Sequence, residues 1–291
     1  MKKKGEEANN PEEKGTKNHI DKGNLRMRVI FALVIIVVIV GFGILGGWFW
    51  FGLIFTLSML GLWEFYRAFQ MEWSVPGIAG YVLGAVYWLF LALGLLDFLF
   101  PTLIIGFLVL MGIYVALYTK MTLTKAFVSY VGFLYAVVML SYLYRIRVGT
   151  DGIVLIWLVF LSPWGSDVMA YFFGSLLGKH KMGPHLSKNK TWEGTVGGIF
   201  GSALAGFLFG LAASAHFKDI LTPVLACTII SAGAGIISIF GDLFASAVKR
   251  QTGIKDFSRL IPGHGGILDR FDSVIFVAPL FYYLAQIFIP R

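Results

Sequence analysis

Beyond residue 28 the chain is almost entirely a succession of apolar stretches. Each is about as long as the roughly 20-residue helix that crosses a hydrocarbon core of about 30 Å. Nine such windows can be drawn, at 29–47, 49–68, 77–96, 100–118, 126–144, 152–178, 194–214, 220–248 and 271–289. They are too long and too uniformly apolar for the alternating strands of a membrane barrel. The fold class expected is therefore an all-α polytopic membrane protein with about nine transmembrane helices. Charge agrees: of 291 residues 57% are hydrophobic and only 14% charged, and residues 1–28 alone hold 13 of the Lys, Arg, Asp and Glu. The remainder is too sparsely charged to cover a soluble domain of this size, so lipid must be most of its solvent.

The polarity divides the chain. Residues 1–28 read as a polar, disordered cytoplasmic tail without an apolar core of the signal-peptide kind. Residues 29–150 hold about five spans, and residues 151–291 hold about four, with polar loops at 179–193 and 249–270. If the tail is cytoplasmic and the spans alternate, 20 of the 24 Lys and Arg fall on the cytoplasmic side, which predicts a multi-pass protein of the cell (inner) membrane. Arg145, Arg147, Lys218 and Arg291 fall outside, and Arg145 and Arg147 fit that topology poorly. The net charge of +8 is accordingly read as orientation and affinity for phosphate, not as nucleic-acid binding. In the seventh window Gly194 and Gly198, Gly197 and Gly201, and Gly206 and Gly210 stand four apart, a spacing that serves either a homodimer through membrane helices or a contact within the bundle. The lone Cys227 excludes an intrachain disulfide and a multi-cysteine metal site.

Several motifs carry no chemistry. Gly41, Gly43 and Gly46 have dinucleotide-loop spacing but lie inside a span with no strand before them, and no Walker-type phosphate loop is present. Asp151-Gly152 lacks the continuation of a CDP-alcohol phosphotransferase motif. Charge outside the tail gathers in Lys179–Glu193 and Asp242–Asp272. The second segment is the informative one, because its carboxylates sit among apolar residues. An intramembrane carboxylate costs several kcal/mol unless partnered, which marks Asp242 and Asp167 as functional candidates. Ser246 and then Lys249 or Arg250 follow Asp242 on one helix face. Pro262 and three glycines around His264 allow a tight turn and a close approach to a ligand. Carboxylates beside Lys and Arg suit Mg²⁺ and phosphoryl chemistry, since hard cations take oxygen ligands and cations offset phosphate charge.

The run Ser246, Val248, Lys249-Arg250, Lys255-Asp256, Ser258, Ile261-Pro262, His264-Gly265-Gly266-Ile267, Asp269-Arg270-Phe271-Asp272 resembles, at every defined position, the 27-residue signature of the phosphatidate cytidylyltransferase (CDP-diacylglycerol synthase) family. Upstream, Ser187 to Gly194 resembles that family's Lys-Thr-Trp-Glu-Gly element, and Ser166-Asp167 with Tyr171 its polar sixth-span element. The resemblance implies transfer of CMP from CTP to phosphatidate, giving CDP-diacylglycerol and pyrophosphate. It implies dependence on Mg²⁺, with or without a second cation. On this reading Asp242 and Asp269 are the first expected metal ligands, with Asp167 and Asp272 behind them. Lys190, Lys249, Arg250, Lys255 and Arg270 are expected to hold phosphates of CTP or of the lipid. Ser246 is expected on metal or phosphate, His264 on phosphate or nucleotide, and Trp192 either on the cytosine or at the membrane interface. Two other readings use the same residues: another CTP-dependent lipid enzyme, acting on an ether lipid or a polyprenol, and an ion or solute transporter lined by Asp167, Asp242 and Asp269.

Overall fold

The computed structural model describes residues 22–183, 187, 190–214, 221–263 and 265–289. Most of the N-terminal tail, Lys188, Lys218, His264 and Arg291 lie outside the described residues. Among those described, the chain is helical, with two isolated β-bridges and no strand. The helices are α1 (Lys22–Leu45), α2 (Gly47–Ala68), α3 (Val75–Ala92), α4 (Leu99–Ala116), α5 (Leu123–Gly132), α6 (Met139–Val148), α7 (Gly152–Leu177), α8 (Trp192–Ala213), α9 (Leu221–Gln251) and α10 (Leu268–Phe288). A short 3₁₀ turn, Leu96–Phe98, leads into α4, and a π-helical segment, Phe133–Val138, joins α5 and α6 into one continuous span. Among the described residues, eight helical spans are long and apolar enough to cross a membrane, and Val29–Leu45 of α1 adds a shorter apolar helix. The protein is an integral, multi-pass, all-α membrane protein, as the windows implied.

The boundaries moved where polar residues extend or cap a helix. α1 and α2 break at Gly46 and Gly47, which take φ +64° and +51°, a region open to glycine at little cost. α8 starts at Trp192 because Thr191 is its N-cap, its hydroxyl accepting from the Gly194 N–H at 3.1 Å. α9 runs on to Gln251, so Lys249 and Arg250 ride its last turn. α10 starts at Leu268, three residues before the expected 271, which brings Asp269 and Arg270 into its first turn. The connection between α9 and α10 is correspondingly shorter than the predicted 249–270 loop.

The C-terminal half is organised around α8, which packs mainly on α7 and α9, while α9 packs on α10. Its glycine face works inside the chain. A methyl group at Gly201 would sit 2.4 Å from Met169, and one at Gly206 would sit 2.4 Å from the Cys227 carbonyl and 2.5 Å from the Ser231 hydroxyl. Close backbone approach of this kind substitutes for the hydrophobic drive that lipid cannot supply. Buried polar bonds add to it: Ser202 donates to the Ser231 carbonyl at 2.6 Å, and Ser162 donates to the Ser231 hydroxyl at 2.9 Å. The N-terminal half packs large aromatics, with the Trp88 indole donating to Ser58 at 2.8 Å and the Tyr66 hydroxyl to the Ser129 carbonyl at 2.7 Å.

Alternation of the helices puts Arg67, Lys120, Lys125, Lys190, Lys249 and Arg270 at one end of the bundle and Arg145 and Arg147 at the other. The two arginines that fit the topology poorly have tertiary work there. The Arg147 guanidinium donates to the Gly43 and Ile44 carbonyls at 2.7 and 3.2 Å, closing the C-terminus of α1. Arg145 lies over the Tyr142 and Tyr282 rings at 4.8 and 4.4 Å and donates to the Tyr282 hydroxyl.

Gly206→Val should force α8 away from α9 and destabilise the protein by about 1–3 kcal/mol, the usual penalty of overpacking. The check is the thermal midpoint of detergent-solubilised protein, with the open position Gly112→Val, where an added methyl meets nothing, as the control that should barely shift.

Candidate active site

The signature segment folds into a compact connection held by two carboxylates. The first is Asp269, in the opening turn of α10. Its Oδ1 takes the Lys249 ammonium at 2.8 Å, and its Oδ2 accepts from the backbone N–H groups of Phe257 and Gly266, at 2.8 and 2.9 Å. The side chain is only 3% exposed. Gly265, at φ +83°, lets the chain turn back here, and a methyl on it would press to 2.9 Å from Asp269 Oδ2. Asp269 thus knits α9, the connection and α10 together.

The second carboxylate was missed in the sequence. Glu64, on α2, is fully buried. Its Oε1 accepts from the Ser258 hydroxyl at 2.6 Å and the Ile267 N–H at 2.9 Å, and its Oε2 accepts from the Leu268 N–H at 2.8 Å. It supplies acceptors to N–H groups that the start of α10 leaves without intrahelical partners. Gly266 must be glycine for this approach, since a methyl there would meet Glu64 Oε1 at 2.5 Å. The signal that could have found it is the one that selected Asp167 and Asp242: a carboxylate inside an apolar window.

Around this anchored connection lies a cleft of about 370 Å³, lined by Asp167 of α7, by Asp269, Arg270 and Asp272 of α10, and on its apolar side by Ile36 and Ile39 of α1 and Phe160 and Trp164 of α7. Ile36, Ile39, Phe160 and Trp164 also line a wholly apolar groove of about 220 Å³ that continues between α1 and α7 with Val40, Trp157 and Leu161. Asp242, on α9, adjoins the polar end: its neighbour Gly241 packs on α10, where a methyl would come 2.6 Å from the Asp272 carbonyl. Lys190 reaches it from the connection before α8: its ammonium is 2.6 Å from Asp242 Oδ2 and donates to the Ile239 carbonyl at 3.3 Å. That reach depends on a local pairing in which the Met182 N–H donates to the Lys190 carbonyl at 2.9 Å, and the Trp192 N–H to the His180 carbonyl at 3.0 Å. Asp272 Oδ1 accepts from the Ser273 N–H at 2.7 Å. Ser246 is half-buried one turn beyond Asp242.

The structure therefore gathers Asp167, Asp242, Asp269 and Asp272 with Lys190, Lys249 and Arg270. It separates others. Lys255 lines a second, basic basin of about 720 Å³ with Arg67, Asp256 and Arg259, on the side of the connection formed by residues 254–260. Arg250 is exposed at the end of α9, and Trp192 is 55% exposed at the start of α8, the place of an interfacial anchor. His264 lies outside the described residues.

No set of three or more carboxylate, histidine or cysteine side chains stands ready as a metal cage among the described residues. Mg²⁺ seldom needs one. It is usually held by one or two carboxylates, substrate phosphates and waters, and an all-oxygen donor set of spaced aspartates fits that habit.

The Cytidylyltransferase family model matches residues 26–288, so the chain belongs to the cytidylyltransferase family. Among its relatives, the phosphatidate cytidylyltransferase of a Synechocystis species is 31% identical, covering 90% of this chain and 97% of the relative. The phosphatidate cytidylyltransferases of Staphylococcus saprophyticus and Bacillus subtilis are 32% and 33% identical, covering 88% and 81% of this chain and 97% and 88% of those relatives.

The two ion pairs should behave differently. Lys249→Met strands the buried Asp269 carboxylate and should lower stability by about 3 kcal/mol. Lys190→Met leaves Asp242, whose side chain is 40% exposed, to water and should change it by about 1 kcal/mol or less. Thermal midpoints of the two variants in one detergent decide this, and equal losses would contradict the anchoring role of Asp269.

Proposed function

We propose that the cleft transfers CMP from CTP to phosphatidate, giving CDP-diacylglycerol and pyrophosphate. The observation that carries this reading is the junction of two surfaces in a member of the cytidylyltransferase family: a cluster of Asp167, Asp269, Asp272 and Arg270 opens directly onto an apolar groove along α1 and α7. A phosphatidate has that same division, with a phosphate monoester on two acyl chains. Its phosphate enters the polar end while acyl chain lies along Ile36, Ile39 and Phe160, so the lipid need not leave the bilayer to react.

The reaction needs no protein nucleophile. A lipid phosphate oxygen, already anionic at neutral pH, attacks the α-phosphorus of CTP in line. The bond from the α-phosphorus to the bridging oxygen breaks, and pyrophosphate departs with its electron pair. Asp242, Asp167 and Asp272 are the residues that would hold Mg²⁺. Bound there, the cation offsets the charge on the triphosphate and its leaving group. Asp269, whose oxygens are taken by Lys249 and two backbone N–H groups, fixes the turn that carries Asp272. Lys190, Lys249 and Arg270 hold phosphate oxygens from the protein side, and each is positioned for it: Lys190 by the Ile239 carbonyl, Lys249 by α9 and Arg270 by the first turn of α10. Ser246 offers its hydroxyl to the same oxygens from the turn beyond Asp242. The collection of Lys and Arg at the cleft end of the bundle supports a cytoplasmic active site in the inner membrane.

Purified protein should incorporate label from radioactive CTP into a lipid co-migrating with CDP-diacylglycerol when given phosphatidate and Mg²⁺, and excess EDTA should abolish it. Asp242→Asn and Asp272→Asn should each reduce the rate on the order of 10²-fold or more. Label appearing only with an ether-linked or polyprenol acceptor would overturn the substrate, and incorporation indifferent to EDTA would overturn the metal.

A further inference from the structure

Tyr135 stands at the centre of the π-helical segment Phe133–Val138, in the half of the chain without signature motifs. Its ring is wedged between three helices, at 5.7 Å from Phe65 of α2, 5.1 Å from Phe244 of α9 and 5.8 Å from Phe276 of α10. Phe244 is two residues from Asp242, and Phe276 is one helical turn from Asp272. The residue is 2% exposed, yet its hydroxyl has no hydrogen-bond partner among the described residues. A buried hydroxyl left in that state costs free energy, and natural proteins rarely keep one without a use. Tyr81 has the same deficiency, but the charge acting on it is Glu72, away from the cleft. The Tyr135 ring instead packs on the stretches of α9 and α10 that carry Asp242 and Asp272. A π-helical turn inside a membrane span is itself unusual and is found mostly at functional sites, because it rotates a side chain off the regular helical register.

We propose that Tyr135 belongs to the active site: its hydroxyl is a donor held for an anionic phosphate oxygen that reaches the Asp242, Asp269 and Asp272 cluster with the substrates. A phenol suits that place. It adds no charge to a site already crowded with carboxylates, it can donate as well as accept, and three packed rings fix its direction. In the structure the hydroxyl is buried without a partner among the described residues; a phosphate oxygen brought to it would relieve that unfavourable burial as the ligand binds. The role of the cleft proposed above underlies this one.

Tyr135→Phe tests it, since the change removes one oxygen and keeps the ring packing. The expected result has two parts. The ligand-free variant keeps the wild-type thermal midpoint or exceeds it, because an unpaired buried hydroxyl has gone. Its kcat falls at least ten-fold, and the rise in midpoint that CTP with Mg²⁺ gives the wild type shrinks. Activity within two-fold of wild type overturns the proposal. So does a midpoint that falls, with or without lost activity, since the hydroxyl would then have been a structural group. Asp272→Asn assayed alongside separates the two readings: full activity in that variant removes the cleft assignment itself, whatever Tyr135→Phe does.

Discussion

The contact on which the rest depends is a carboxylate in the wrong half of the chain. Glu64 sits on α2, about 200 residues from the three donors it binds, and is sealed from solvent. Without it, Ser258 and the N–H groups of Ile267 and Leu268 would be buried without acceptors, and α10 would have no fixed starting point. The first turn of α10 carries Asp269 and Arg270, and the next residues carry Asp272. The N-terminal spans, featureless in sequence, are therefore a clamp that sets where the carboxylates of the cleft stand. Asp269 completes the clamp from the other side by tying the same connection to Lys249 and α9.

Lipid makes such contacts decisive. With no water in the hydrocarbon region and little hydrophobic gain from helix association, the bundle is specified by close small-residue packing and by polar groups that must find one another. Most do. Trp88 meets Ser58, Ser202 meets Ser231, and Arg147 closes the end of α1. Against that background, the cleft stands out for its carboxylates, Asp167, Asp269 and Asp272, gathered with Arg270. A cluster of oxygens of this kind is what the proposed binding of a cation and phosphate would use.

The cations show how far the chemistry could be read from the chain. Lys190, Lys249, Arg250, Lys255 and Arg270 were equivalent candidates by residue type and by motif. Folding sorts them, placing Lys190, Lys249 and Arg270 against the carboxylates, Lys255 in a separate basin with Arg67 and Arg259, and Arg250 in the open. Asp269 changed character as well. Its motif position pointed to a metal, and the structure shows it filled by a lysine and two backbone N–H groups. Nor did the four-residue glycine spacing of α8 reveal its partner, which proved to be α7 and α9 of the same chain.

What the sequence determined by itself is what short windows encode. Apolar stretches of about 20 residues fix the number and kind of helices, because each span must satisfy its own backbone in lipid. The 27 residues from Ser246 to Asp272 point to the family, because the polar residues of its signature lie close together in the chain. Only the tertiary structure decided which of those groups meet. Lys190 finds Asp242 across 52 positions, Glu64 finds Leu268 across 204, and Tyr135 packs on Phe244 and Phe276, on the helices of Asp242 and Asp272, from a span with no polar pattern of its own. Helical periodicity tells which face a residue occupies. It cannot tell which other helix that face will touch, and in a bundle held by a few buried polar contacts that choice makes the site.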